Sequence, residues 1–279
     1  MKTLLVTTGD LAAHLGDPEW VVFDARHDLA DVEKGRRAYE AGHIPGAYFL
    51  HLDRDLSGEK TGSNGRHPLP DLERFAARMN ECGVTPATQV VAYDDAGGSF
   101  AARVWWLLDW LGQERVALLD GGLAAWEKEG RPLSPEVPAP RRGAFLPRPR
   151  LGATVDAPFL ERFLDTQAHR LLDARAPARF SGAQEPLDRV PGHIPGAVNR
   201  FWQANLAPDG RFKAAEALRA EFAALLGDSA PGLAVNMCGS GVTACHNLFA
   251  MALAGLPNGR LYPGSWSEWC SDPSRPVVR

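Results

Sequence analysis

Short, nearly continuous apolar runs alternate along this chain with longer stretches in which apolar residues return every three or four positions. VVFDA (21–25), VVAYD (90–94) and VALLD (116–120) predict strands in the first half, and LLDA (171–174), GLAVNM (232–237) and RLYP (260–263) predict their counterparts in the second. Helical periodicity covers 71–83, 102–112, 157–166 and 215–227, and resumes over 243–255 after the turn CGSGV. Apolar runs too short for helices, set between helical periods, predict α/β units around a mainly parallel sheet flanked by helices.

The pattern occurs twice. AGHIPGA at 41–47 returns as PGHIPGA at 191–197, VVFDAR at 21–26 as LLDAR at 171–175, and DGGLAAW, ending at Trp126, as PGSWSEW, ending at Trp269. Between the last two anchors, VAYDDAGGSFAARVWWLLDWLG aligns without a gap to AVNMCGSGVTACHNLFAMALAG, which sets Asp95 opposite Cys238. A duplication in which one copy carries the cysteine predicts two tandem domains of one architecture, 1–135 and 151–279. The Pro- and Arg-rich stretch 136–150, without helical or strand period, predicts an extended linker.

Composition agrees with two cores and narrows the partners. The 279 residues are 45% apolar and 23% charged, with a net charge of -4 that offers no basic footprint for nucleic acid. The start lacks the apolar core of a signal peptide and no run reaches the length of a membrane span. The four cysteines form neither a CxxC pair nor a disulfide framework, so a reducing, cytoplasmic setting is expected.

Cys238 opens a turn that passes Gly239, Ser240 and Gly241 at the end of a predicted strand, and a helix follows. Glycines let such a turn curl its N–H groups toward one centre, and the helix adds a positive end. A cysteine there is expected to have a depressed pKa and to stand as a nucleophilic thiolate in an anion cradle. Cys82, Cys245 and Cys270 have no such setting and are expected as small buried apolar groups.

CGSGVTA, the paired GHIPGA and DAR motifs and the closing GSWSEW resemble the tandem-domain rhodanese superfamily, with a loop similar to that of its 3-mercaptopyruvate sulfurtransferases. The resemblance covers nearly the whole chain. It implies that Cys238 takes sulfur from a donor as a persulfide and passes it to cyanide, a small thiol or thioredoxin, with neither metal nor organic cofactor. Relatives preferring thiosulfate carry two cations where this chain has the neutral Gly239 and Ser240. The resemblance therefore implies mercaptopyruvate as donor, with thiosulfate the alternative.

By the same resemblance Gly239, Gly241, Val242 and Thr243 line the substrate, and Arg179 in ARFSG binds its carboxylate. A second arginine follows a Glu-Pro pair in relatives. Here Glu185-Pro186 is followed by Leu187, so either Arg189 serves two places on, or the clamp has one arginine and Arg189 is a solvated surface charge. A serine-protease-like relay is implied from Ser240, His67 in RHPLP and Asp53 in GAYFLHLD. It would deprotonate the substrate thiol and protonate the pyruvate enolate.

Features shared by both halves cannot depend on the nucleophile. His43 and His193, Asp24 and Asp173, and Arg26 and Arg175 are expected to hold loops, and Asp95 makes the first domain catalytically silent. Trp105, Trp106 and Trp110 are expected in the first core, and Trp266 near the pocket. A phosphatase reading fails because the arginine it needs to hold phosphate would fall at Ala244. A non-catalytic sulfur-binding module is disfavoured by the presence of Cys238.

Overall fold

A computed structural model describes residues 3–163, 169–257 and 259–279. The chain divides into two compact units, Met1–Gly58 with Pro70–Arg150 and Asp209–Arg211, and Glu59–Leu69 with Leu151–Pro208 and Phe212–Arg279. Each is built on one parallel sheet flanked by helices. In the first unit β1 (Leu5–Val6), β2 (Trp20–Asp24), β3 (Tyr48–Phe49), β4 (Gln89–Tyr93) and β5 (Val116–Leu119) lie in the order β1-β5-β4-β2-β3. In the second, β6 (Leu171–Asp173), β7 (Val198–Asn199), β8 (Val235–Met237) and β9 (Arg260–Leu261) lie in the order β7-β6-β8-β9.

The registers show the duplication in space. Val21 pairs with Val90 and Phe23 with Ala92 in the first unit, and Leu171 pairs with Val235 and Asp173 with Met237 in the second. A parallel bridge from Thr154 to Leu261 stands where β1 pairs β5 in the first copy. β4 is buried along its whole length, as expected of a strand covered on both faces. The strand expected over 232–237 forms only from Val235, because Pro231–Leu233 make a 3-10 turn. The helix expected over 157–166 runs through Ala157–Phe163, and its last positions lie outside the described residues.

The repeated motifs do the same work twice. The Arg26 guanidinium grips Asp24 and donates to Gly42 O at 2.8 Å, and Arg175 grips Asp173 and donates to Gly192 O at 2.8 Å. His43 reaches Tyr39 O through Nδ1 at 2.8 Å and stacks on Tyr39, while His193 reaches Phe180 O at 2.9 Å and stacks on Phe180. Each pair ties the GHIPGA loop to the strand and helix preceding it.

Residues 136–150 are extended but held down. Arg141 N–H donates to Glu81 O, Gly143 N–H to Asn80 O and Ala144 N–H to Val84 O, and Phe145 is buried edge-on against Phe75. The stretch is thus part of the first unit. Trp105 and Trp106 lie in that unit's core, with Trp110 half-buried and stacked on Trp106. No helix among the described residues is long and apolar enough to cross a membrane.

Candidate functional site

The site in the second unit begins where β8 ends. Its carboxyl end delivers Cys238, and helix Ala244–Leu253 starts six residues later, the position at which parallel α/β sheets place ligands. Cys238 is nearly buried, and the N–H groups of Ser240 and Gly241 point at its Sγ from 3.4 and 3.1 Å. Two donors aimed at one sulfur make the arrangement an anion holder.

The loop is locked from behind. Ser265 Oγ accepts from Cys238 N–H at 3.1 Å and donates to Tyr262 O, while Trp266 N–H and Ser267 N–H donate to Cys238 O and Gly239 O, each at 3.0 Å. Gly241 has φ +76, and a Cβ there would stand 2.4 Å from Pro263 O. The backbone could not take this course with a side chain. Gly239 is a glycine for a different reason, since its φ is not in the left-handed region and the space beside it holds guanidinium groups. A Cβ at Gly239 would lie 2.8 Å from Arg66 Nη2 and 3.3 Å from both Arg179 Nη1 and Nη2. Val242 is buried, Thr243 half-buried, and Cys245, fully buried, donates through Sγ to Gly241 O.

Segment Glu59–Leu69 belongs to this unit and carries two residues to the loop. His67 is buried with Nδ1 2.7 Å from Ser240 Oγ, and Arg66 N–H donates to Ser267 Oγ at 3.0 Å. The Arg66 side chain pairs through Nη1 with Asp188 Oδ1. Asp188 Oδ2 accepts from Arg179 Nη2 at 3.1 Å, and Arg179 also forks onto Glu185 through Nε and Nη2. Although burial works to raise the Glu185 pKa, the Arg179 guanidinium and the N–H groups of Leu187 and Asp188 bring it below its ordinary value. Arg189 is exposed; the guanidinium groups against Gly239 are those of Arg66 and Arg179. Sequence reasoning passed over Arg66, whose one signal was its place beside His67.

Cys82 and Cys270 lie outside this loop. Burial pushes the Cys82 thiol up to about 12, and burial also raises that of Cys270. Trp266 adjoins the cysteine loop through its backbone N–H while its side chain fills the core: the indole N–H donates to Val190 O, and the Arg175 guanidinium rests on the ring.

In the first unit the corresponding loop closes on a carboxylate of its own. Asp94, fully buried, accepts from the N–H groups of Ala96 and Gly98 on Oδ1 and of Phe100 and Ala101 on Oδ2, at 2.8–2.9 Å. Asp95, aligned with the cysteine, points to solvent instead. Asp53 lies in this unit with its Oδ2 4.0 Å from His27 Nε2 and its N–H donating to His51 Nδ1 at 3.1 Å. These three are the one group among the described residues spaced to hold a metal ion. They do not fit one, because His51 Nδ1 is engaged as an acceptor and its Nε2 must keep the proton.

Comparison with known proteins places these observations. The rhodanese-like domain family matches residues 7–129 and again 156–272. A Pseudomonas aeruginosa protein described as a probable 3-mercaptopyruvate sulfurtransferase is 50% identical over 276 residues, covering 98% of this chain and 97% of that protein. A Mycobacterium tuberculosis protein, SseB, that carries the name of a thiosulfate sulfurtransferase is 40% identical over 282 residues, covering 99% and 97%. The crystal structure of SseA from Escherichia coli, a 3-mercaptopyruvate sulfotransferase by its description, superposes with a TM-score of 0.82 at 35% identity, covering 95% of this chain and 99% of that one.

Proposed function

The chain belongs to the rhodanese family and is a sulfurtransferase, and from that premise we propose that it takes sulfur from 3-mercaptopyruvate as a persulfide on Cys238 and hands it to a thiol, thioredoxin or cyanide. The Cys238 thiolate attacks the mercaptopyruvate sulfur and an S–S bond forms. The C–S bond breaks with its electron pair going to carbon, which gives the pyruvate enolate. Ser240 and His67 take the substrate thiol proton and return it to that carbon, so pyruvate leaves and the outer sulfur stays anionic between the N–H groups of Ser240 and Gly241. A nucleophilic acceptor then attacks the outer sulfur and releases the Cys238 thiolate.

The observation that carries the reading is the 2.7 Å contact of His67 Nδ1 with Ser240 Oγ, two residues from a sulfur that faces two N–H donors. Thiosulfate cleavage needs no proton at carbon, so a serine–histidine pair has work to do only with the carbon-bound donor. Arg179 supplies the donor's carboxylate contact, while Val242 and Thr243 border the substrate. The first domain, 1–135, is silent and 151–279 catalytic. Four free thiols suit a reducing cytoplasm.

One observation favours thiosulfate. Although Gly239 and Ser240 are neutral, a relative similar over nearly the whole chain carries the thiosulfate name. Pyruvate release from mercaptopyruvate with a thiol acceptor, set against thiocyanate formation from thiosulfate and cyanide, decides between the donors. Intact-mass analysis after donor treatment should show one added sulfur that Cys238→Ser abolishes. Faster kcat/KM on thiosulfate overturns the mercaptopyruvate reading.

A further inference from the structure

The chain lacks an arginine directly after Glu185-Pro186, and Arg189, the nearest replacement on that loop, is exposed. We infer that Arg66, delivered by the segment Glu59–Leu69, is the second half of a two-arginine carboxylate clamp whose other half is Arg179. The inference rests on the mercaptopyruvate reading and assigns the residue that selects a donor bearing a carboxylate.

Three features converge on this assignment. Gly239, adjacent to the nucleophile, leaves a space whose nearest occupants are Arg66 Nη2 and Arg179 Nη1 and Nη2. Asp188 holds the two guanidinium groups in a fixed relation by accepting Arg66 Nη1 on one oxygen and Arg179 Nη2 on the other. Asp188 is therefore a positioning residue. Finally, two of the three atoms turned toward Gly239 are not spent on these pairs: Arg66 Nη2 and Arg179 Nη1 donate to nothing among the described residues, whereas Arg179 Nη2 is held by Glu185 and Asp188. N–H groups from two planar cations, next to the sulfur acceptor, match the two oxygens of a carboxylate.

Charge supports a monoanion. Two arginines stand against the carboxylates of Glu185 and Asp188, so the cluster is close to neutral before a ligand arrives. Such a site offers directed hydrogen bonds rather than excess positive charge, which suits a carboxylate better than a sulfonate dianion. The arginine side chain reaches the place where thiosulfate-preferring relatives carry a cation on the loop itself, but it arrives already paired.

Steady-state kinetics on the full chain test this with Arg66→Ala, Arg66→Lys and Arg189→Ala. Arg66→Ala should raise KM for mercaptopyruvate by about tenfold or more, the loss of a hydrogen bond to a charged group, with kcat at saturation changed far less. Arg66→Lys keeps the charge without the fork and should fall between Arg66→Ala and wild type. Inhibition by pyruvate, which shares the keto acid group, should weaken in parallel. The rival assignment predicts that Arg189→Ala carries the KM change instead, and that result overturns the inference. So does a loss in kcat with KM unaltered. If Arg66→Ala does not fold, Arg66→Lys and its pyruvate inhibition decide, and wild-type values for both overturn the assignment. Wild-type enzyme that forms no pyruvate removes the donor reading and this clamp together, whereas normal wild-type turnover with unchanged Arg66 variants removes the clamp alone.

Discussion

His67 Nδ1 lies 2.7 Å from Ser240 Oγ although 173 positions separate the two residues in the chain. The contact joins a buried imidazole to the hydroxyl beside the nucleophile, on a loop whose N–H groups already serve the sulfur. The imidazole's partner and the two N–H groups facing the sulfur thereby lie on one turn, as the proposed coupling of proton movement to sulfur capture requires.

Ser240→Ala and His67→Gln should each lower kcat on mercaptopyruvate by about a hundredfold, the usual size of a general acid–base contribution. The double variant should be little worse than either single one, because the pair acts as a unit. Sulfur loading of Cys238 from thiosulfate should survive in both. Equal losses with both donors would show that the pair shapes the loop rather than moves protons.

Gly241→Ala should destabilise the second unit by about 2 kcal/mol or more, since its Cβ would meet backbone oxygen at 2.4 Å in a left-handed conformation. Gly239→Ala meets only the tips of two arginine side chains, Arg66 most closely, and should spare stability while displacing Arg66. Thermal melts of the two variants should separate them clearly; matched midpoints contradict this account of the glycines.

The ion pair of Glu185 sets a pH dependence. Its folded pKa is depressed below the ordinary 4.5, so its contribution to stability is complete above that value and is lost as pH falls through the lower folded value. Glu185→Gln should cost about 3 kcal/mol at neutral pH by leaving a partly buried arginine pair short of one charge. Its deficit relative to wild type should shrink in melts below pH 4.5. A deficit constant across pH would mean that shape rather than charge holds this loop.

Thiol chemistry should discriminate among the cysteines. With its pKa pushed up to about 12 by burial, Cys82 stays protonated near neutrality, and Cys270 is shifted the same way. Peptide mapping after brief exposure to donor should find the added sulfur on Cys238, with Cys82 and Cys270 unloaded. Loading spread over several thiols would count against the cradle.

How far the chain could be read depended on whether a residue's setting was local. The apolar runs of β2, β4 and β5 are long enough to show themselves, and the second copy corroborates each. Two-residue strands such as β1, β3 and β7 have no period to detect and exist only through their neighbours' hydrogen bonds. The cysteine loop was legible because composition, spacing and its aligned partner pointed to one position. Arg66 was not, since its partner Asp188 lies 122 positions away and the intervening polar segment carries no pattern. Arg189 stood as one of two alternatives, offered by its proximity in sequence. Glycine at position 239 likewise looked like a conformational requirement, and proved to be a matter of room for a neighbouring cation.

The carboxylate of Asp94, wrapped by four N–H groups in the first unit, leaves those donors with nothing to offer a second anion. That copy is a receptor whose guest has become part of its own covalent chain, one residue before the position aligned with the nucleophile. A thiol introduced by Asp95→Cys would therefore arrive at a host already full, and giving that loop room for a sulfur anion would require removing the Asp94 carboxylate as well.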